Sequence, residues 1–220
     1  MQASKLISNS IISLHPDDDG NRALELMNQC RVNHLAVVKN SFFLGVVSDK
    51  EINLWNSADE FIEEHLHNLA SPHVLHSQHL FDIIEVLEKN NLSVVPVLDE
   101  EKQYQGVITN RKLLYTIAKS AAIQSIGGVI VLKMNNNDYS LTEIANIVES
   151  NNTKILSSYV TSTPESTKME LTLKLNTSDI VSIVKDLERF DYLITASYKE
   201  DESDVDFLER YEQLMRFLNP

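Results

Sequence analysis

The stretch HLAVVKNSFFLGVVSDKEI (34–52) returns about 60 residues later as SVVPVLDEEKQYQGVITNRKLL (93–114), and this repetition decides the fold. Each copy has an apolar run, a short polar loop and a second apolar run that begins at Gly45 or Gly106. Short apolar runs bounded by polar turn residues are typical of buried strands. Charged or polar residues follow in both copies and are predicted to open a helix at Glu51 or Lys112.

A helix is also predicted before each pair of strands. Apolar residues recur there at helical spacing, namely Ala23, Leu24 and Met27 in the first copy and Ile83, Ile84 and Leu87 in the second. One such unit is too small to close a hydrophobic core, whereas two copies packed together can do so. The sequence therefore predicts a domain over residues 1–120, with repeat 1 at about 1–68 and repeat 2 at about 69–120.

This duplicated pattern resembles a tandem pair of CBS domains, also called a Bateman module. The resemblance is carried by the two quoted stretches, in particular VVPVLD (94–99) and the strands GVVS and GVIT that run into a helix. It covers roughly residues 1–118 and implies an α+β fold. Pairs of this family bind adenosine-containing ligands in clefts between the copies, and many are energy sensors. The resemblance implies AMP, ADP, ATP or S-adenosylmethionine as a regulatory ligand, with no cofactor.

The resemblance also implies which residues touch the ligand. A Ser or Thr that ends the second strand contacts ribose or phosphate, and an acidic residue three positions later accepts hydrogen bonds from the ribose hydroxyls. The acidic position is Glu51 in the first copy but Lys112 in the second, and a lysine has no acceptor. Lys112 and Arg111 then either attract a phosphate or form a solvated helix start. The expected ligand-binding residues are Ser48, Glu51, Val95, Pro96, Thr109, Asn110, Arg111 and Lys112.

The second half of the chain has a different pattern of elements. Strands are predicted at 128–135, 154–165, 167–176 and 193–198, and helices at 140–150 and 178–192. Ser140 and Glu143 have the spacing of a capping box. The order, βαββαβ, is that of a ferredoxin-like fold.

This order, together with NNNDYSLTEIANIVE (135–149), resembles an ACT domain over about residues 126–200. ACT domains typically bind amino acids or other small effectors at paired sheets. The family's Asp-x-Pro-Gly loop is replaced here by Asn136, Asp138 and Tyr139, and Tyr139 places a side chain where backbone should approach the effector. Pairing between protomers is therefore the expected use. The whole order of domains resembles the acetoin-utilisation (AcuB-like) proteins of bacteria.

Residues 201–220 are predicted to form an acidic connector and a C-terminal amphipathic helix. The apolar face comprises Phe207, Leu208, Tyr211, Leu214, Met215 and Leu218. We expect this face to be buried on the ACT-like sheet or on a second chain. The flanking residues are acidic, which argues against binding to a membrane.

The stretch HLHNLASPHVLHSQHL (65–80) holds five of the seven histidines and raises the possibility of a metal-dependent enzyme. Zinc ligands converge from one face of an element or from separate elements. His65 and His67 face different ways on a helix, and Pro72 interrupts the remaining histidines. The expected alternative is a solvated hinge between the repeats, with Ser77 as a cap of the following helix.

Composition excludes several classes of function. The formal net charge of −13 and the scattered basic residues argue against nucleic acid as a partner. No apolar run reaches the roughly 18 residues of a membrane span, and the N-terminus lacks the pattern of a signal peptide. Cys30 is the only cysteine, so we expect a cytoplasmic protein without disulfides.

No nucleophile elbow, phosphate-binding glycine loop or HExxH motif occurs, so no enzymatic activity is predicted. We expect a regulatory protein in which the CBS pair binds an adenosine ligand and the ACT-like domain dimerises or relays the signal. The alternative is a structural adaptor with vestigial clefts that binds an unidentified protein partner. Exposed strand edges predict a homodimer.

Overall fold

The computed structural model describes residues 1–8, 10–120, 122–164 and 166–199. The chain divides into two compact units, Met1–Ile117 and Ala118–Pro220, and the architecture is mixed α+β. The amphipathic helix predicted within 201–220 lies outside the described residues.

The predicted order of helix, strand, strand and helix is confirmed in both copies of the first unit. The first copy contains α1 (Gly20–Cys30), β1 (His34–Lys39), β2 (Phe42–Ser48) and α2 (Asp49–Ile52), followed by α3 (Ile62–His65). The second copy contains β3 (Val74–Leu75), α4 (Leu80–Lys89), β4 (Val94–Leu98), β5 (Tyr104–Thr109) and α5 (Asn110–Ser120).

Strand pairing shows the duplication in the backbone. β1 pairs antiparallel with β2, and β4 pairs antiparallel with β5, with a register shift near the end of each first strand. β3 adds to β4 in parallel, through Val74 opposite Val97. The first copy has an isolated parallel bridge in the corresponding place, between Leu14 and Val37. Both copies are therefore one supersecondary unit, repeated.

The two copies close their cores together. Val94 and Val107 of the second copy are buried in the cluster formed by the first copy, and Val46 of the first copy is buried in the cluster of the second. Backbone hydrogen bonds also join the two copies: Ser8 N donates to Val107 O, and Val46 N donates to Ala70 O. The predicted nesting of the copies is thus present.

The helix starts and stripes differ in part from the prediction. Ile83 and Leu87 are buried as predicted, whereas Ile84 is 36% exposed. The prediction of Ser77 as a cap of α4 is wrong: His79 is the N-cap, and Ser77 Oγ instead donates to Glu100 Oε1. The helix begins at Leu80, so the side chain two residues before His79 is too distant to reach its first amides.

The second unit contains one sheet and two helices. Its elements are β6 (Val129–Asn135), α6 (Leu141–Ser150), β7 (Ile155–Ser162), β8 (Lys168–Leu175), α7 (Val181–Arg189) and β9 (Leu193–Tyr198). The sheet has the order β7-β8-β6-β9, and all neighbouring strands are antiparallel. Alternate residues of β6 and β8 are buried with the inner faces of α6 and α7, so this unit has its own core.

The predicted capping box of α6 is only half formed. Ser140 Oγ accepts from Glu143 N at 3.3 Å, as expected. Glu143 Oε2 does not turn back to the helix start but accepts from the Tyr192 hydroxyl at 3.1 Å. Tyr192 comes from the turn before β9, so a tertiary contact has replaced the local one.

Candidate functional site

A cavity of about 770 Å³ opens at the start of α5 in the first unit. Its lining comes from both copies and from the N-terminal segment, and comprises Ser8, Ser10, Ile11, Cys30, Arg31, Val32, Ser93, Thr109, Asn110, Arg111, Lys112 and Tyr115. Four of the predicted ligand-binding residues, 109–112, therefore lie together around one cavity. We call this space the α5 cavity.

Local hydrogen bonds hold the start of α5 in place. Thr109 Oγ1 accepts from Lys112 N at 3.1 Å and caps the helix. Asn110 Nδ2 donates to Leu92 O at 3.0 Å, and Asn110 N donates to Ser93 O at 3.1 Å. The Thr109 hydroxyl hydrogen is not used in the cap, so it can still be donated to a ligand.

The lining of the α5 cavity is cationic. Arg31, Arg111 and Lys112 contribute to it, and no aspartate or glutamate does. Among the described residues, no carboxylate forms an ion pair with any of the three. A group of cations without counter-charges, in a chain of net charge −13, favours a bound anion.

The corresponding cleft of the first copy has a different character. Its cavity, of about 460 Å³, is lined by Asn33, His34, Asp49, Lys50, Asn90, Asn91, Leu92, Ser93 and Asn110. Ser48 and Glu51 do not contribute to this lining. Glu51 Oε2 accepts from both Ser48 N and Ser48 Oγ at 2.7 Å, and Ser48 Oγ accepts from Glu51 N at 3.1 Å. The two predicted residues thus form a capping box with each other.

The other two predicted residues lie inside a strand. Val95 and Pro96 are buried in β4, and neither lines the α5 cavity or the cleft of the first copy. Pro96 pairs with Val107 of β5, and β3 begins to pair with β4 only at Val97. The missing N–H of Pro96 is tolerated because, on the side of β4 that faces β3, Pro96 lies beyond the end of β3.

Sequence reasoning missed Arg31, Ser93 and His34. Ser93 lines both cavities and joins the copies: Asn33 N donates to Ser93 Oγ at 2.9 Å, and Ser93 N donates to His34 Nδ1 at 3.2 Å. Burial lowers the pKa of His34, while Asp49 and Glu51 act in the opposite direction. For Arg31, the repeat itself was an available signal, because it places residues 31 and 91 at matching ends of α1 and α4.

The histidines of 65–80 have separate structural contacts. His65 stacks on Trp55 with ring centroids 3.9 Å apart, and its Nε2 lies 2.8 Å from Glu60 Oε2. His73 Nδ1 lies 2.8 Å from Ser71 O, and His79 caps α4. Within the described ranges, no group of three or more His, Cys, Asp or Glu side chains is placed to hold a metal ion.

The second unit has its own cavity, of about 680 Å³, beside the loop of residues 136–139. Asp138 lines it and accepts from Asn135 Nδ2 at 2.7 Å. Tyr192 also lines it, and burial together with the Glu143 carboxylate raises the pKa of this phenol to about 12. Lys133 and Lys168 contribute positive charge, so the lining is mixed in sign.

The family model described as CBS domain matches residues 3–55 and 70–119, which are the two copies of the first unit. The first unit is a tandem CBS domain pair. The α5 cavity therefore lies in the second CBS domain and reaches the first through Arg31. No helix in the described part of the chain is both long enough and apolar enough to cross a bilayer.

Several solved structures resemble the CBS pair. A CBS domain pair/ACT domain protein from Thermotoga maritima is 18% identical, with a TM-score of 0.47 over 54% of this chain and 98% of that chain. The CBS domains of a transcriptional regulator from Streptococcus pneumoniae are 18% identical, with a TM-score of 0.46 over 52% of this chain and 98% of that chain. CBSX2 in complex with AMP is 20% identical, with a TM-score of 0.44 over 54% of this chain and 96% of that chain. With such low identities and scores, the assignment of the pair rests on the family match.

Proposed function

We propose that this protein is a non-enzymatic regulator whose CBS pair binds an adenosine-containing anion in the α5 cavity. CBS domain proteins are generally regulatory, and some of them bind AMP. The observation that supports an anionic ligand here is the cationic lining, with Arg31, Arg111 and Lys112 around one cavity and no carboxylate among its lining residues. Arginine in particular binds phosphate through paired N–H donors.

The charge of the lining separates the candidate ligands. AMP, ADP and ATP carry negative phosphates, whereas S-adenosylmethionine carries a cationic sulfonium next to its sugar. A like charge beside three unpaired cations is repelled, and a phosphate is attracted. We therefore place AMP, ADP and ATP ahead of S-adenosylmethionine.

The position of the cavity indicates how binding would be transmitted. Arg31 belongs to the first CBS domain, and Arg111 and Lys112 belong to the second. A bound anion would link the two domains through opposite charges, and it would favour the arrangement in which these side chains converge. The mechanism is a population shift, in which the ligand stabilises one arrangement of the pair.

Residues 126–200 are proposed to be an ACT-type domain that mediates dimerisation or relays the signal, as in an AcuB-like architecture. The strand order β7-β8-β6-β9 in an antiparallel sheet, with one helix after the first strand and one after the third, supports a ferredoxin-like plan. Tyr159 and Tyr198 of the edge strands are 62% and 61% exposed, which supports pairing through this sheet.

Calorimetric titration of the protein with AMP, ADP, ATP and S-adenosylmethionine tests the proposal. We expect saturable heat from the nucleotides and none from S-adenosylmethionine. Arg111→Ala should weaken nucleotide binding by about 10-fold to 100-fold, since a hydrogen bond to a charged group contributes about 1.5–3 kcal/mol. Glu51→Gln is the matched control, because Glu51 lies outside the cavity lining. The affinity of this variant for nucleotides should be unchanged.

Absence of heat from all three nucleotides would contradict the sensor and favour the adaptor. In that case the clefts would be vestigial, and the exposed surfaces of the domains would carry the function through a protein partner. Equal weakening by Arg111→Ala and Glu51→Gln would also contradict the proposed site, since it would show a general loss of structure.

A further inference from the structure

We propose that the α5 cavity prefers a nucleotide that carries a phosphate on its ribose, at the 2′ or 3′ oxygen, in addition to its 5′ phosphate. This inference rests on the proposed function and names the ligand class of the same site. It starts from the comparison of Glu51 and Lys112, which occupy matching places in the two CBS domains.

The hydrogen bonds show that the two places match. Ser48 ends β2 and its Oγ accepts from Glu51 N at 3.1 Å, and Thr109 ends β5 and its Oγ1 accepts from Lys112 N at 3.1 Å. Residues 51 and 112 are therefore both the third residue of a capped helical turn. One carries a carboxylate and the other an ammonium, so the charge at this place is reversed between the domains.

The reversal changes the group that can be bound there. A carboxylate only accepts hydrogen bonds and suits the hydroxyls of an unmodified ribose, whereas an ammonium only donates. A phosphate ester on the ribose supplies acceptors of opposite charge and makes charge-assisted hydrogen bonds with a lysine. The same exchange distinguishes dinucleotide sites elsewhere, where an acidic residue binds a ribose hydroxyl and a basic residue accommodates a ribose phosphate.

The number of cations also fits a ligand with two separate phosphates. Arg111 and Lys112 come from α5, and Arg31 comes from the end of α1. Arg31 has the left-handed φ of 55°, which is costly for a residue other than glycine or asparagine, and the equivalent residue of the second domain is Asn91 with φ 50°. The arginine thus adds a third cation to this cavity, and the cleft of the first domain has Asn91 in that position.

Affinity for four ligands tests the inference: AMP, ADP, adenosine 2′,5′-bisphosphate and adenosine 3′,5′-bisphosphate. ADP is the matched control, because it has two phosphates but both are on the 5′ side. We expect one of the two bisphosphates to bind at least about 10-fold more tightly than ADP, the effect of one charge-assisted hydrogen bond.

Lys112→Glu should reverse this preference, because a carboxylate repels the ribose phosphate, so that AMP binds more tightly than either bisphosphate. The variant is expected to fold, since a glutamate is favourable in the first turn of a helix. A thermal melt confirms folding, and Lys112→Met, which removes the charge alone, should abolish the preference without reversing it.

Equal affinity for ADP and both bisphosphates would overturn the inference and leave the proposed function in place. A preference that persists unchanged in Lys112→Glu would overturn it as well. If none of the four ligands binds the unmodified protein, the proposed function fails together with the inference.

Discussion

His34 shows how one side chain joins the two CBS domains. Its Nδ1 accepts from Ser93 N at 3.2 Å and lies 3.1 Å from Ser93 Oγ, across the junction of the copies. Only an unprotonated Nδ1 can accept, so the contact requires this nitrogen to be free of its proton. Burial lowers the pKa of His34 from 6.5, which favours the same neutral form, although Asp49 and Glu51 oppose the shift.

This contact predicts a dependence of stability on pH. The unfolded chain binds a proton at His34 near pH 6.5, and the folded chain binds it only at lower pH. Stability from this residue is therefore complete above pH 6.5 and is lost as the pH falls from 6.5 through the folded pKa. Chemical denaturation at pH 7.5 and at pH 5.5 measures how much the free energy of unfolding decreases between the two. The decrease should be smaller in His34→Gln than in the unmodified protein, because a glutamine oxygen accepts a hydrogen bond without titrating.

The exposed His67 provides the control, since His67→Gln makes the same chemical change at an exposed position. In this variant, stability should decrease between pH 7.5 and pH 5.5 by as much as in the unmodified protein. An identical loss in His34→Gln and the unmodified protein would show that His34 makes no such contribution.

At the scale of elements, helix α4 shows how closely the apolar pattern follows burial. The sequence placed Ile83, Ile84 and Leu87 on one stripe. In the structure Ile83 is 0% exposed and Leu87 is buried, whereas Ile84 lies at the edge of the stripe with 36% exposed. Leu80 takes the remaining buried position, three residues before Ile83.

The neighbouring isoleucines provide a matched pair of substitutions. Ile83→Val removes a methylene group from the core cluster of the second CBS domain and should lower the free energy of unfolding by about 0.5–1.5 kcal/mol. Ile84→Val makes the same chemical change at a partly exposed site and should cost less than about 0.5 kcal/mol. Urea denaturation measures both free energies of unfolding, and equal decreases would show that Ile83 and Ile84 are buried to a similar extent.

At the scale of the whole molecule, each unit has its own hydrophobic core, and the first unit cannot be divided further. The cluster of the first CBS domain includes Val94 and Val107, which come from the second domain. The N-terminal segment crosses over to the second domain, where Ala3 N donates to Gln78 O and Ser8 N donates to Val107 O. The pair is therefore one folding unit made from two copies.

Two fragments test this description. Residues 1–120 retain α5 and both clusters of the first unit, so this fragment should unfold in one cooperative transition. Residues 1–68 lose Val94 and Val107 from the core and should not fold alone. Circular dichroism during heating measures both, and a cooperative transition in the shorter fragment would contradict the shared core.

The elements and their duplication could be predicted from the amino-acid sequence, because apolar periodicity records which face of each strand or helix is buried. The strands around Gly45 and Gly106 and the order of the six elements in the second unit were predictable from it, whereas residues 109–112 were expected at a ligand site only through the family resemblance. Tertiary structure alone decided the remainder: the convergence of Arg31 with Arg111 and Lys112, the link from His34 to Ser93, and the enclosure of Glu51 in a cap. The physical reason is that burial is registered locally along the chain, whereas the meeting of polar side chains depends on how distant segments pack.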